Sequence, residues 1–436
     1  MPSVETVAVS LLGSYSRRLC GAVEVPASRD RSDGYAFTIS GWMLGRDCRV
    51  KTLELMHEDR LLRAVPVRGH RRDMAVRFPD IAWAEHCGFT MDSGVLGLPR
   101  EFELTLDAIL EDGDRVSTAT IRGTHEPLRS SHQPGLQPLM VTSLGRTGST
   151  WLMQLVGAHP EIVFHPSHPY EIRAAAYWMH MLKVLSEPAN HLQSADVGNF
   201  HANLFWVGHH PFHSPRTTAA PPLRQWFRET YPEQLAAFCQ RNIDAFYSEV
   251  AGMQQKPNPR YFAEKFQPSY LQWLVWELYP QAREIVLVRD PRDMLCSILA
   301  FNAKRGYVAF RREQAESDED YIRQLARQTS RFCERWQQRA DKARLVKYED
   351  LVTRPIETLT GILDYLGLES SPSMSAAMLA SAAEETPESA HHRTSASATA
   401  SIGRWRRDLD QALRPVCEAA FRDSLVALGY GDCEET

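Results

Sequence analysis

The feature that most constrains this chain is a junction at residues 139–152, LMVTSLGRTGSTWL. Leu139–Thr142 reads as a short, mainly apolar strand of the kind buried on both faces. Gly145 and Gly148 then let the backbone turn tightly. Ser149 and Thr150 open a helix whose free N–H groups and positive dipole end face the turn. Arg146 adds a permanent cation. Gly145, Arg146, Thr147, Gly148, Ser149 and Thr150 together make an anion cradle of phosphate size. The plainer alternative is an ordinary strand–turn–helix junction with a hydroxyl cap. It is not a Walker A loop, which has four residues between its glycines and then Lys-Ser/Thr. Here two residues separate Gly145 from Gly148, and no lysine follows.

From Pro138 onward strands and helices alternate. Glu284–Val288 is a second buried-type strand and Leu345–Val346 marks a third, with helix-compatible segments such as Tyr321–Lys342 between them. That alternation implies a parallel sheet covered by helices on both faces. The chain before the junction has a different texture. Tyr35–Leu44, Val50–Leu55, Leu61–Val67, Phe102–Leu110 and Val116–Ile121 are short and often alternate apolar with polar residues, and Glu111-Asp112-Gly113-Asp114 is a hairpin signal. This spacing predicts a β-sandwich. The polar stretch GTHEPLRSSHQPGLQ at 123–137 reads as a linker. The expected organisation is a sandwich over 1–122, a linker over 123–137 and a P-loop-like, parallel-sheet α/β domain over 138–436. Residues 369–401, rich in alanine and serine, are expected to form a mobile surface segment.

A second strand-to-turn passage lies in Arg283–Phe301, REIVLVRDPRDMLCSILAF. Arg289 stands at the strand end and Ser297 eight residues on. With a helix starting near Pro291, Ser297 is about two turns in, where its hydroxyl and Arg289 can share an anion. The plainer reading is a surface turn laced with Arg289–Asp290 and Arg292–Asp293 pairs, which contribute little. A cradle plus a separate Arg/Ser pair fits a nucleotide with phosphates at both ends.

At this point the chain resembles the sulfotransferases that use 3′-phosphoadenosine 5′-phosphosulfate (PAPS). SLGRTGSTWL is similar to their 5′-phosphosulfate loop, and Arg289 with Ser297 matches their 3′-phosphate pair. Lys347-Tyr348-Glu349-Asp350-Leu351, followed by Arg354-Pro355, resembles their YEDL segment, which implies that Tyr348 lies near the adenine. Trp151 matches another adenine-side aromatic, and Ser401–Arg406 is similar to their C-terminal glycine–tryptophan loop. The resemblance covers about residues 138–431 and leaves 1–122 uncovered. Three departures stand out. The catalytic lysine of the cytosolic members is Arg146 here, as in many bacterial and glycan-modifying members. Their Arg-Lys-Gly element would fall on Ala398-Thr399-Ala400, so the 3′-phosphate must use another cation, with Arg404, Arg406 and Arg393 as candidates. Their histidine base motif has no clean match.

The resemblance implies in-line transfer of SO₃ from the donor phosphate to an acceptor, a reaction governed by positioning and by stabilisation of spread negative charge. Arg146 would stabilise the leaving phosphate oxygen as an electrostatic partner, because arginine keeps its proton. An acceptor hydroxyl needs a base. Candidates lie in Phe164–Arg173, FHPSHPYEIR. In relatives that modify glycans or tyrosines a glutamate in this region is the base, which points to Glu171, then to His165 and His168. The competing reading pairs Glu171 with Arg173 on a solvated face. Tyr261-Phe262-Ala263-Glu264-Lys265 resembles the acidic-Lys element of the same relatives, which would bring Lys265 to the sulfuryl group and leave Glu264 as a reserve base. A surface Glu–Lys pair is the alternative. His201, His209, His210 and His213, with Phe200, Phe205, Trp206 and Phe212, make a stretch that reads as an aromatic acceptor wall or as satisfied histidines. Adjacent His209 and His210 lack the spacing of a helical metal pair.

Composition narrows the partners. With 49 Lys plus Arg against 54 Asp plus Glu, the net charge of −5 argues against bulk nucleic-acid binding. Val7–Leu12 is far short of the ~20 apolar residues of a spanning helix. The N-terminus lacks the charge and cleavage pattern of a signal peptide. Eight cysteines without a CxxC pair suit neither a zinc site nor a disulfide framework, so reduced thiols and a cytoplasmic location are expected, with no metal. The expected activity is of EC 2.8.2 type: sulfuryl transfer from PAPS to a hydroxyl, on a carbohydrate or glycoconjugate. A small-molecule or peptide acceptor is the alternative. A nucleotide kinase or NTPase, which needs a Walker lysine and magnesium carboxylates, and a non-catalytic nucleotide-binding protein are the rivals. The oligomeric state is left open.

Overall fold

The computed structural model describes residues 3–11, 18–188, 221–269, 271–382 and 393–431. The histidine- and aromatic-rich stretch containing His201, His209, His210 and His213 lies outside the described residues. Contacts divide the chain into two units, one of Met1–Gln133, Tyr177–Asn242 and Tyr270–Leu278, the other of Pro134–Ala176, Ile243–Ser269 and Tyr279–Thr436.

The first unit contains nine strands among its described residues: β1 (Ser3–Leu11), β2 (Leu19–Val25), β3 (Arg31–Asp33), β4 (Ala36–Gly45), β5 (Val50–His57), β6 (Arg60–Pro66), β7 (Gly88–Gly94), β8 (Glu101–Leu110) and β9 (Arg115–His125). They form two antiparallel sheets, β3-β1-β9-β8-β5-β6 and β2-β4-β7. In β8, Phe102, Leu104, Leu106, Ala108 and Leu110 are buried while Glu101 and Glu103 face water, the period-two pattern of a half-buried strand. Phe37 of β4 stacks on Phe102 with ring centroids 6.2 Å apart, so the sheets face each other as a sandwich. Strands β2 and β7, not expected from sequence, carry Gly21 in one case and Gly88, Asp92, Ser93 and Gly94 in the other, residues of low strand propensity.

Tyr177–Asn242 contributes buried charge to this unit. Lys183 donates to the Leu96 carbonyl at 2.8 Å and pairs with Glu187, whose carboxylate also accepts from Arg63 at 3.3 Å and from the Gly94 amide at 3.2 Å. Breaking a buried ion cluster from one side is strongly destabilising, about 3–5 kcal/mol. A chain lacking residues 1–122 is therefore expected to lose solubility, read as the soluble fraction after expression. Recovery at full-length yield would contradict this.

The second unit is built on five parallel strands: β10 (Gln137–Ser143), β11 (Ile162–Phe164), β12 (Tyr261–Phe266), β13 (Arg283–Val288) and β14 (Ala343–Lys347). Their order is β11-β12-β10-β13-β14. Both faces are covered, as expected. Ile285 and Leu287 of β13 join a core with Leu152, Leu155, Val156, Leu359 and Leu363, whereas Val286 and Val288 join another with Ile298, Phe332 and Phe421. The helix Pro291–Arg305 starts at an Asp290 cap with proline in its first turn and ends at Gly306 with φ +70°. The register sets Ser143 beside Leu287 and Val288 beside Lys347, so the chain leaves three adjacent strands at one level. In sheets of this kind ligands bind at the carboxyl ends of the strands.

The alanine- and serine-rich segment departs from expectation. Residues Pro372–Ser381 are a helix, capped by Ser371 Oγ accepting from the Met374 amide at 3.2 Å, with Met378 buried in the core. Alanine is the best helix former and Ser-Pro supplies the start, so a composition that looks like a loop builds an ordered element.

Candidate active site

The loop after β10 is tightly specified. The Thr147 hydroxyl donates to the Leu144 carbonyl at 3.0 Å. Arg146 has φ +66° and Gly148 φ +91°. A Cβ at Gly148 would come within 2.6 Å of the Tyr348 ring, and one at Gly145 within 2.6 Å of the Phe310 ring, so close approach demands glycine at both. The helix Ser149–Gly157 begins directly behind Gly148, opening its first N–H groups onto the loop.

Arg289 and Ser297, distant in sequence from that loop, join it in one cluster. Arg146 Nε donates to Ser297 Oγ at 3.2 Å, with its guanidinium 4.7 Å from the Phe301 ring centroid. Arg289 is 6% exposed. It donates to the Arg146 carbonyl at 3.2 Å and the Ser401 carbonyl at 2.6 Å, and stacks 4.7 Å over the Tyr348 ring. Tyr348 OH lies 3.0 Å from Ser401 Oγ, and Trp151 meets Tyr348 edge-on at 6.4 Å. Ser297 Oγ is 3.1 Å from Thr394 Oγ1, which accepts from Arg404 at 3.1 Å. Of the three arginines weighed for the absent Arg-Lys-Gly element, Arg404 reaches this cluster, while Arg406 lies 4.5 Å over the Trp405 ring. Sequence reasoning placed Ser401 in the glycine–tryptophan loop without a role of its own, and missed Thr394. Thr394 carries no signal, being one hydroxyl residue in a serine-rich stretch.

The electrostatics favour an anion here. Burial first, then the guanidinium groups of Arg289, Arg404 and Arg305, pushes Arg146 down to about 10. Arg289 Nε is buried and has no hydrogen-bond partner among the described residues. A buried donor left unmade costs about 1–3 kcal/mol, and converging like charges add to that. An oxyanion would relieve both.

The acidic-Lys element lies within β12, where successive side chains point to opposite faces. Glu264 and Lys265 therefore do not form a surface pair. Glu264 is fully buried and accepts from the Ala174 and Ala175 amides at 3.0 and 3.1 Å, capping the helix Ala174–Ser186. Burial pushes its carboxyl up to about 8. Lys265, on the other face, donates to Thr150 Oγ1 at 2.8 Å and to the Pro169 carbonyl, and lies 3.6 Å from Glu171. Lys265 thus links the start of the loop helix to the segment carrying the candidate bases. Glu171 is 50% exposed and also 3.5 Å from Arg173. His165 Nδ1 accepts from the Ser167 amide at 3.3 Å and its ring stacks on Phe246 at 6.2 Å. His168 packs edge-on against Tyr170 at 5.6 Å.

Residues 138–372 match the family model described as "Sulfotransferase family", a span of more than half the chain. The chain belongs to the sulfotransferase family. No curated protein matches this sulfotransferase. Among solved structures it is similar to a sulfotransferase domain from the Synechococcus PCC 7002 olefin synthase, at 21% identity over 68% of this chain and 98% of that one, with a TM-score of 0.39. It is also similar to a sulfotransferase domain from the curacin biosynthetic pathway (16% identity, 69% and 99% covered, TM-score 0.40). A mouse sulfotransferase complexed with PAP follows at 11% identity, 68% and 85% covered, TM-score 0.36. Membership of the family rests on the family model. Among the described residues of this sulfotransferase no group of three or more His, Cys, Asp or Glu is placed to hold a metal, and no helix is long and apolar enough to cross a membrane.

Proposed function

We propose that this sulfotransferase takes its sulfuryl group from PAPS and delivers it to a carbohydrate hydroxyl. The observation that carries the donor reading is the buried arginine cluster with the orphaned Arg289 Nε, joined to a loop whose glycines let the Phe310 and Tyr348 rings close against it. In this reading Gly145–Trp151 holds the 5′ end, Arg289, Ser297 and Arg404 hold the 3′-phosphate, and Tyr348 and Trp151 flank the adenine. Bound PAPS supplies an activated sulfuryl group and a phosphate leaving group. Arg146 stabilises negative charge near the leaving oxygen without giving up its proton. Glu171, half exposed and beside Lys265, takes the proton of the acceptor hydroxyl. A carboxylate open to solvent suits a bulky polar acceptor better than the packed rings of His165 and His168. We place the transferase chemistry in the unit of Pro134–Ala176, Ile243–Ser269 and Tyr279–Thr436, and the protein in the cytoplasm.

Isotopically labelled PAPS, offered with a panel of oligosaccharides, phenols, sterols and tyrosine peptides, tests this by mass spectrometry. Label on sugars alone is expected. Label on phenols, sterols or peptides alone would overturn the acceptor class. No transfer and no binding of adenosine 3′,5′-bisphosphate (PAP) would overturn the donor.

Lys265 makes a pH prediction. Burial, opposed by Glu171, pushes its ammonium down to about 8. If the cation acts on the sulfuryl group, it is present below that value and lost above it. Turnover is expected to fall as pH rises through 8, and Lys265→Arg to move that limb upward because arginine stays charged. The check is a pH–rate profile; an unmoved limb in the variant would assign it to another group.

A further inference from the structure

The C-terminal loop at 401–404 supplies the Ser401 carbonyl to Arg289, the Ser401 hydroxyl to Tyr348, and Arg404 to the Thr394–Ser297 hydroxyl pair. Its own anchor is Asp293, in the first turn of the helix that carries Ser297. Asp293 is 1% exposed. Its Oδ2 accepts from the Gly403 amide at 2.6 Å and its Oδ1 from the Trp405 amide at 2.9 Å. The plainer reading of the sequence pairs Arg292 with Asp293 on the surface. Arg292 pairs with Asp290 at 2.8 Å and lies 4.1 Å over the Trp405 ring, leaving both oxygens of Asp293 to the loop backbone. Gly403, at φ +64°, turns the chain between the two anchored amides.

We infer that Asp293 is a positioning residue of the donor pocket, whose carboxylate holds the 401–404 loop by the Gly403 and Trp405 amides so that Ser401 and Arg404 meet Arg289, Tyr348 and the Ser297–Thr394 pair. This rests on the donor reading above. Asp293 acts through Ser401 and Arg404 and not on the donor itself. Two N–H bonds to one carboxylate are charge-assisted and stronger than neutral ones. Alanine leaves the buried Trp405 amide and the part-buried Gly403 amide without this acceptor. Asparagine keeps one bond, but its NH₂ faces the second amide donor to donor.

The test uses the full chain with Asp293→Ala and Asp293→Asn. It reads amide hydrogen exchange over 399–408, PAP affinity by calorimetry, and KM for each substrate with kcat. Asp293→Ala is expected to speed exchange in that segment and to weaken PAP affinity and donor KM about 10–100-fold. At saturating donor, kcat should stay within about threefold and acceptor KM should hold. Asp293→Asn should lie between, and it carries the test if the alanine variant fails to fold. Faster exchange with wild-type PAP affinity would overturn the positioning role, as would a fall in kcat at unchanged donor KM or unchanged exchange. A wild-type chain that binds no PAP would overturn the donor reading and the role with it. Wild-type binding retained in both variants would overturn Asp293 alone.

Discussion

Replacing Arg289 with alanine is expected to weaken PAP binding by about 2–4 kcal/mol, as for other desolvated charge pairs cut on one side. Arg289 combines three properties that make the effect large. It is buried, so water does not substitute for the lost contact. Its fork is aimed by two backbone carbonyls, those of Arg146 and Ser401, and by the face of Tyr348, so little entropy remains to be lost on binding. Its Nε has no partner among the described residues, so an arriving phosphate oxygen gains a charge-assisted bond. Arg289→Lys should recover only part of the affinity, because an ammonium keeps the charge and loses the fork. Ser297→Ala should cost less, roughly 1–2 kcal/mol for one hydrogen bond to a charged group. Calorimetry with PAP on variants of unchanged melting temperature is the check. Wild-type affinity in Arg289→Ala would place the 3′-phosphate elsewhere.

What could be read ahead of the structure was local. The parallel sheet, the loop after β10 and the exits of β13 and β14 each announce themselves within a dozen residues, through apolar runs that meet glycine, proline or charge. Strand β12 did not, because Tyr261–Phe266 places Glu264 and Lys265 inside a buried strand. Two charges in six residues look like surface unless their partners are visible. Those partners, the Ala174 and Ala175 amides for one and Thr150 and Glu171 for the other, lie about 90–115 residues away in sequence. The same distance hid Thr394 and the part Ser401 plays against Arg289 and Tyr348, and it hid Asp293, whose neighbour Arg292 suggested a surface ion pair. Membership of Tyr177–Asn242 and Tyr270–Leu278 in the first unit has no local signature at all.

Glu171→Gln is expected to lower kcat by ~10²–10⁴ while leaving PAP affinity near wild type. The substitution keeps the size of the side chain and removes the proton acceptor. The donor cluster is built from Arg146, Arg289, Ser297 and Arg404, whereas Glu171 pairs with Lys265 and Arg173. Glu264 cannot stand in, since its two oxygens are committed to the Ala174 and Ala175 amides and it is sealed from solvent. Arg146→Ala should behave differently, damaging donor affinity and rate together, because it touches the donor in the ground state as well as in the transition state. Arg146→Lys should keep part of the rate, the ammonium supplying charge without the fork. The sharpest rival is a histidine. His165 Nδ1 already accepts from the Ser167 amide, which leaves Nε2 as the nitrogen able to meet an acceptor. Turnover that survives Glu171→Gln and disappears in His165→Ala or His168→Ala would move the base to that ring. It would also remove the solvent-open carboxylate on which the carbohydrate acceptor was argued, and make a compact hydroxyl the better substrate.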